Sequence, residues 1–376
     1  MKLLVYAPLI SPRIKYIFNF MFKELLGLEP EYPKNLAEFL RSDAPKLCYA
    51  KHPVEKTLFF KSAGLLTEHS VKRQKIKIAD FGGQAVPFAV EGSTLPFDPF
   101  AASFYFLSRY EEYLPFDEKK GPGFPAKLSL QHKLGLLQLP VIDGWAIILK
   151  NILHLHFPDL QFPKRDFSFK VAYSLNPEHQ KSGIAAGLAP GVHVNGLPVV
   201  PTTAFPRVRT GVQSAKKAFG FLNQLVKDQF GGKRKAQQMT SIRQLIAEME
   251  KTGKAAPPEF LLPNTQLRTN WQEILSLPKS YIKLSTKNIS RDYSMYYADT
   301  PGFRAGTCSP FYWYDLQIEK QSQLKIFPFA VSYAGITNGK KTNKDPLLLL
   351  NELMDQVKFV NGSFYSLWQH QTIALA

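Results

Sequence analysis

The sequence lacks several features by which common protein classes are recognised. Only two cysteines, Cys48 and Cys308, occur among 376 residues, so a disulfide framework is excluded and a reducing compartment is expected. No run of about 18 apolar residues is present, which argues against a membrane-spanning helix. The segment 1–10 has too short an apolar core for a signal peptide and no small-residue cleavage site. We therefore interpret it as the first strand and expect a cytoplasmic protein.

Sequence motifs of several large enzyme classes are missing as well. The chain has no Gly-x-Ser-x-Gly elbow, no Gly-x-x-x-x-Gly-Lys-Ser/Thr loop and no Gly-x-Gly-x-x-Gly after a predicted strand. These absences exclude the usual serine hydrolase, P-loop and dinucleotide-binding interpretations. With 45% hydrophobic and 13% aromatic residues, the chain can still bury a large core and is long enough for two domains.

Acidic residues are few, 30 against 47 basic ones, and the net charge is +17. Much of the excess lies between Lys216 and Lys254, including the run Lys233-Arg234-Lys235. Such a basic surface could contact an anionic partner by charge neutralisation. It lacks interleaved aromatic residues and matches no nucleic-acid module, so a nucleic acid is not the favoured partner. A merely solvated basic surface is the alternative.

The most informative stretch that is present runs from Asp292 to Leu316. One arginine, Arg304, stands between Gly302 and Gly306 and is followed by the aromatic run 311–314, which contains Tyr312 and Trp313. A guanidinium can hold a carboxylate or phosphate through two parallel hydrogen bonds, and the rings could stack on a ring-shaped ligand. The alternative interpretation is a buried loop arginine that binds backbone carbonyls.

Five segments carry a resemblance to a known family. They are Asp98 to Leu114, Pro140 to Trp145, Asp292 to Leu316, Ile326 to Phe329 and Gly362 to Trp368. In this order they resemble a Bacteroidetes-type polysaccharide deacetylase family. The resemblance implies an α/β protein with a mixed α/β N-terminal domain, residues 1–160, and a distorted (β/α) barrel of the NodB-homology type, residues 165–376. Residues 177–260 match no part of the family.

The resemblance also implies a metal-dependent reaction that removes acetyl groups from a glycan. A divalent metal, usually zinc, would lie between an aspartate and histidines at the strand ends, and a second aspartate would act as general base. Such a metal lowers the pKa of its bound water and polarises the carbonyl under attack.

This chain departs from the family at the catalytic positions. Ser174 and Asn176 stand where the family carries two aspartates, so both carboxylates are lost. Leu262 stands in place of a histidine, Tyr333 in place of an aspartate and Gln369 in place of a histidine. None of these five side chains is an anion or an imidazole, and zinc favours anionic oxygen, imidazole and thiolate. We therefore expect no bound metal, no cofactor and a site without deacetylase activity.

The remaining histidines offer little to rebuild a metal site. Only His154 and His156 are closely paired, and they fall at the end of a predicted helix over Ala146–His156, where a solvated helix end is the simpler interpretation. His370, beside Trp368, is the best remaining candidate for acid or base chemistry; its alternative is an exposed residue near the C-terminus.

The leading hypothesis is a non-catalytic polysaccharide deacetylase homologue that binds a glycan or an anionic sugar derivative. Two alternatives stay open: an active hydrolase of carbon-nitrogen bonds with a rearranged metal site, and a structural or assembly protein of an exopolysaccharide pathway. The predicted ligand-binding residues are Arg304, Tyr173, Tyr312, Trp313, Trp368 and His370.

Periodicity predicts the elements that carry these residues. Helices are expected over Ile14–Leu26, Phe100–Tyr113 and Pro346–Phe359, and strands over Phe167–Tyr173 and Gly362–Trp368. In the helix over Phe100–Tyr113 we expect Phe100, Phe104 and Leu107 to be core. Arg109, Glu111 and Glu112 would form its polar face, with the two glutamates pointing in different directions.

Overall fold

The structure, a computed structural model, describes residues 1–55, 57–116, 123–174, 193–194, 197–198, 244–245, 259–261, 269–271, 274–337 and 345–369. Over these residues the protein is mixed α/β, with several sheets and helices. None of the described helices is long and apolar enough to cross a membrane. The predictions for Asn176, Leu262, His370 and most of 177–260 fall outside the described residues.

The described strands are β1 Lys2–Tyr6, β2 Glu29–Glu31, β3 Lys46–Ala50, β4 Leu58–Lys61, β5 Ile78–Phe81, β6 Gln84–Pro87, β7 Ser168–Ser174, β8 His193–Val194, β9 Leu197–Pro198, β10 Glu259–Leu261, β11 Thr269–Asn270, β12 Arg291–Asp292, β13 Phe311–Asp315, β14 Lys320–Ile326, β15 Val331–Ser332 and β16 Ser363–Gln369.

The described α-helices are α1 Pro12–Phe18, α2 Leu36–Arg41, α3 Pro99–Leu107, α4 Leu130–Lys133, α5 Val141–His156, α6 Lys279–Thr286, α7 Tyr333–Thr337 and α8 Pro346–Phe359. A π-helix, Asn19–Leu25, continues α1, and short 3₁₀ turns cover Leu65–Thr67, Tyr110–Tyr113 and Ala126–Leu128.

The residues at the start of two helices explain where these helices begin. The Asp98 side chain accepts hydrogen bonds from the first turn of α3, and Asp345 does the same for α8. Each aspartate is followed by a proline, whose fixed φ and missing N–H suit the first helical position. The predicted helix Pro346–Phe359 is confirmed at both ends.

The first sheet is parallel, with strand order β2-β1-β3-β4. Its two faces are covered by different helices, because side chains alternate along each strand. On β1, Leu3 and Val5 join the large cluster that contains α1, whereas Leu4 and Tyr6 pack toward Phe39 of α2.

Two further four-stranded sheets lie in the second half of the chain. One has the order β10-β7-β16-β15, and all its pairings are parallel. The other has the order β11-β12-β14-β13, with β13 antiparallel to its neighbour. The two predicted strands of the first of these sheets are confirmed with a shift of one residue each.

Hydrophobic packing crosses residue 160, the domain boundary expected from the sequence, which stays a prediction. The largest hydrophobic cluster contains side chains of β1, α1, α3 and α5 together with Leu275, Tyr281, Trp313, Tyr314 and Ile326. A second cluster packs α8 against one face of β7 and β16, including Phe169, Phe364 and Trp368. Residues 275–326 therefore complete the core of the N-terminal half.

One predicted helix is wrong in its second half. The helix that begins at Pro99 ends at Leu107, and Arg109 adopts a left-handed conformation with φ 53° before the 3₁₀ turn Tyr110–Tyr113. Phe100, Phe104 and Leu107 are buried as predicted. The expected polar face is wrong, because Arg109, Glu111 and Glu112 are buried as well.

Both cysteines are buried and unpaired. Cys48 lies on β3 in the cluster beside α2, and burial raises its pKa to about 11. Cys308 lies in the cluster beside α8, and burial raises its pKa well above the ordinary value. Its sulfur fills the space over Gly362, where a Cβ atom would come within 2.3 Å of it.

Candidate functional site

The carboxyl ends of the parallel strands gather several of the positions that depart from the deacetylase pattern. In the sheet β10-β7-β16-β15, Ser174 is in register with Gln369 on one side and with Leu261, the residue before Leu262, on the other. Ser332 is in register with Leu367, and Tyr333 follows it directly. Ser174, Gln369 and Tyr333 are thus brought to one edge of one sheet.

Half-buried rings follow three strands, two of the sheet β11-β12-β14-β13 and one of the sheet β10-β7-β16-β15. Trp271 comes after β11, Phe327 after β14 and Tyr333 after β15. The Nε1 atom of Trp271 is buried and has no hydrogen-bond partner among the residues that the structure describes. The Phe327 ring stacks on Tyr293 with centroids 4.6 Å apart and planes 9° apart.

A buried aspartate fixes the strand ends from which two of these rings extend. Asp292 accepts hydrogen bonds from Asn270 Nδ2 at 2.8 Å, Tyr281 Oη at 2.9 Å, and both the backbone N–H and the hydroxyl of Ser294. Burial raises the Asp292 pKa, against the lowering effect of these donors. Because its partners all come from the protein, Asp292 is a structural residue that holds β11 against β12.

All three guanidinium nitrogens of Arg304 donate hydrogen bonds to acceptors in the protein. Nε and Nη2 bind the two oxygens of Glu112 at 2.9 and 2.6 Å, and Nη1 donates to the Tyr296 carbonyl at 2.9 Å. The side chain is buried, and its guanidinium carbon lies 4.9 Å from the centroid of the Tyr297 ring. The alternative interpretation, a buried arginine that binds carbonyls, describes much of this arrangement.

Arg109 extends the same network from the other half of the chain. Its Nε donates to Glu112 at 2.8 Å, and its Nη2 donates to Glu111 at 3.1 Å and to the Tyr297 hydroxyl at 3.0 Å. Its Nη1 donates to the Arg304 carbonyl. We call Arg109, Glu111, Glu112 and Arg304 the buried ion network. The expectation that the two glutamates would point apart is wrong, because both bind Arg109.

The electrostatics of the buried ion network are balanced. Two guanidinium groups face two carboxylates, so the formal charge sums to zero. Burial alone would raise the pKa of Glu112, but Arg304 and Arg109 outweigh burial and hold that pKa below its ordinary value. The arrangement keeps Glu112 ionised and leaves no guanidinium nitrogen of Arg304 for an external anion.

Two other predicted ligand-binding side chains, Trp313 and Trp368, lie in separate hydrophobic clusters. Trp313 is buried in the large cluster and donates from Nε1 to the Tyr113 hydroxyl at 3.1 Å. Trp368 is buried in the cluster beside α8 and donates to Ser366 Oγ at 3.0 Å. Tyr312 is half-buried on β13. Because Trp313 and Trp368 belong to separate clusters and are covered, neither offers a stacking face in this fold. Tyr173 lies on β7, one residue before the strand end.

The structure also places the histidines that the sequence left open. The helix α5 ends at His156, and both His154 and His156 are exposed, as expected for a solvated helix end. Among the residues described, no group of three or more His, Cys, Asp or Glu side chains is placed to hold a metal ion.

Comparisons with known proteins cover the N-terminal part of the chain only. Residues 3–158, less than half of the chain, match a family of unknown function, DUF7033. Searches of curated proteins and of solved structures found no match. None of the three names a polysaccharide deacetylase, so that resemblance stays a prediction.

Sequence reasoning missed Trp271, Phe327 and the role of Glu112. The rings were missed because Trp271 follows a strand of two residues and Phe327 a strand of seven residues. Periodicity gives a weak signal over such short strands. Glu112 was missed because its partner Arg304 is 192 residues away in the chain. A single buried Arg–Glu pair over that separation leaves no local pattern.

Proposed function

We propose that the protein is a non-catalytic homologue of polysaccharide deacetylases that binds a glycan at the carboxyl ends of its parallel strands. The observation that carries the proposal is the register of Ser174 with Gln369, together with the position of Tyr333 after β15, which pairs with the other side of the Gln369 strand. Three positions chosen from a family pattern alone fall on one edge of one sheet. Ligand sites of parallel sheets lie at this end of the strands.

The strand pairings support a distorted barrel as the fold behind that edge. A closed barrel with the strand order β7-β10-β11-β12-β14-β15-β16 requires seven strand pairings. Five of them are present. The other two would join β10 to β11 and β14 to β15. The short link between β14 and β15 already joins the two sheets. Phe327 N–H donates to the Asp292 carbonyl at 2.8 Å, and Ala330 N–H donates to the Tyr365 carbonyl at 3.0 Å.

The residue types at this edge argue for binding rather than hydrolysis. A metal-bound water needs anionic or imidazole ligands and a base to receive its proton. Serine, glutamine and tyrosine at 174, 369 and 333 supply neither. They do supply hydroxyl and amide groups, which are the usual partners of sugar hydroxyls.

The rings that follow β11, β14 and β15 would supply the binding surface. Trp271, Phe327 and Tyr333 are half-buried, so each keeps part of its ring at the surface. Trp271 also has an indole N–H without a described protein acceptor. Such a set replaces Arg304, Trp313 and Trp368 as the candidate ligand contacts.

Calorimetric titration of the full chain with chitopentaose, a neutral acetylated oligosaccharide, tests this proposal. We expect saturable binding, no release of acetate, and a loss of affinity of about tenfold in Trp271→Ala, because a ring that stacks on the sugar is removed. Phe359→Ala is the control, since Phe359 is 74% exposed on α8. Its affinity should equal that of the unchanged protein.

Two outcomes would contradict the proposal. Equal affinity of Trp271→Ala and Phe359→Ala would remove the strand-end edge as the site. Stoichiometric acetate release that stops with a chelator would favour the alternative of an active hydrolase with a rearranged metal site.

A further inference from the structure

The segment from Lys72 to Lys77 is a second surface feature that the strand-end edge does not use. It carries four cations in six residues, Lys72, Arg73, Lys75 and Lys77, and leads directly into β5. The cations are exposed, whereas Gln74 and Ile76 are half-buried. Burial therefore alternates from Arg73 to Lys77, as in an extended chain with one face against the protein.

This alternation places three cations in a row. Arg73, Lys75 and Lys77 occupy every second position, and alternate side chains of an extended chain lie on one side, about 7 Å apart. We call these three residues the cation row. Three like charges at such spacing repel one another, which favours a bound polyanion over free solvent ions.

Inward contacts hold the backbone of the cation row in place. Gln74 Nε2 donates to the Tyr110 hydroxyl at 3.1 Å and to Glu68 at 2.9 Å, and the Lys72 N–H donates to the same hydroxyl at 2.9 Å. Ile76 packs on the large hydrophobic cluster, and the Lys77 carbonyl accepts from Ala89 N–H at 3.1 Å. A backbone fixed in advance loses less entropy when a ligand binds.

The cation row has no counter-ion among the described residues, in contrast to three lysines elsewhere on the surface. Lys2, Lys23 and Lys358 each form an ion pair with a neighbouring carboxylate. Within the segment only Lys72 is paired, with Glu68 at 3.3 Å. No ion pair joins Arg73, Lys75 or Lys77 to a carboxylate of the described residues.

We infer that the cation row of Arg73, Lys75 and Lys77 is a binding site for a linear acidic polysaccharide whose carboxylates face successive cations. The inference takes its ligand class, a polysaccharide, from the proposed function, but it uses a different surface. A polysaccharide is favoured over a single-stranded nucleic acid because the residues between the cations, Gln74 and Ile76, offer no ring for base stacking.

The test compares two triple variants of the full chain for binding to polygalacturonate, a polymer of uronic acid. One variant is Arg73→Gln with Lys75→Gln and Lys77→Gln. The control is Lys279→Gln with Lys283→Gln and Lys287→Gln. These three exposed lysines of α6 and its end stand four residues apart. Their spacing along the helix, about 6 Å, is close to that of the cation row. Both variants lose three positive charges.

We expect the unchanged protein to bind polygalacturonate with an affinity that falls as sodium chloride rises, and not to bind its fully methyl-esterified form. The cation-row variant should lose at least about tenfold in affinity, and the α6 variant less than about twofold. A third variant, Arg73→Lys with Lys75→Arg and Lys77→Arg, keeps the charges and should keep the binding.

Three results would overturn the inference. Equal losses in the two glutamine variants would mean that only net charge matters. Tighter binding of oligothymidylate than of polygalacturonate at the same salt would identify a nucleic-acid surface, and tighter binding of phosphatidylglycerol vesicles would identify a lipid surface. Chitopentaose binding that depends on Trp271, together with any of these results, would leave the proposed function standing while this inference fails.

Discussion

Two regions of the molecule contain polar side chains among aromatic ones, but they differ in whether those polar groups have hydrogen-bond partners within the protein. In the buried ion network, the Arg304 nitrogens and both Glu112 oxygens bind other protein groups. At the strand-end edge, Trp271 keeps an indole N–H without a described acceptor. The polar groups of Arg304 and Glu112 thus have partners within the protein, whereas the Trp271 N–H is buried with none among the described residues.

The comparison shows that residue type alone does not identify a site. Arginine between glycines, followed by aromatic residues, is a reasonable sequence for an anion pocket, but here the carboxylate that fills the pocket comes from the same chain. What matters is whether the hydrogen-bonding groups are already used. Three experiments test the difference between the buried ion network and the strand-end edge.

Removing everything after residue 160 should have the largest effect. Without residues 275–326 the N-terminal half loses Leu275, Tyr281, Trp313 and Ile326 from its core, and the buried Arg109 and Glu112 lose Arg304. We expect a chain of residues 1–160 to show no cooperative thermal unfolding by circular dichroism, whereas the full chain does.

The family match over residues 3–158 makes this truncation informative. A cooperative transition in the fragment would mean that the matched region is an independent domain. The contacts with residues 275–326 would then join two finished units, and the boundary expected from the sequence near residue 160 would be correct.

Replacing Glu112 by Gln should have the next largest effect. The variant keeps the shape of the side chain but leaves two buried guanidinium groups facing one carboxylate, and a broken buried ion pair costs about 3–5 kcal/mol of unfolding free energy. Urea denaturation measures the loss. The control is Asp355→Asn, which breaks an exposed pair with Lys358 and should cost less than about 1 kcal/mol. Similar losses in both would refute the structural role of the network.

The smallest effect separates the two tryptophans. Trp313→Phe removes the hydrogen bond to the Tyr113 hydroxyl, whereas Trp271→Phe removes an N–H that has no described acceptor. We expect the first to lower the unfolding free energy by about 1 kcal/mol more than the second. A larger loss in Trp271→Phe would show that its N–H serves the fold and would weaken its assignment to a ligand.

Much of the local structure could be predicted from the sequence, because it depends on neighbouring residues. The helix Pro346–Phe359 has an aspartate cap, a proline start and a clear apolar stripe, and its predicted bounds are confirmed. The strands Ser168–Ser174 and Ser363–Gln369 were found within one residue at each end, since runs of alternating large residues mark them.

What could not be predicted depends on distant partners. Arg109 and Glu112 look like a solvated helix face until Arg304 and Tyr297, about 190 residues later, are placed against them. The family pattern predicts that the ring of Trp368 lies in a ligand-binding site. Only the pairing of β16 with β7 shows that it faces α8 rather than the rings around Phe327.

The two buried cysteines give each half of the molecule an intrinsic reporter of opening. Cys48 is sealed beside α2 and Cys308 beside Gly362, and burial raises the pKa of each thiol, so neither should react with an alkylating reagent while its surroundings stay closed. Their labelling rates under native conditions, read separately by peptide mass, would report how often each region opens. Equal rates would mean that the halves open as one unit, and unequal rates would show which half opens first.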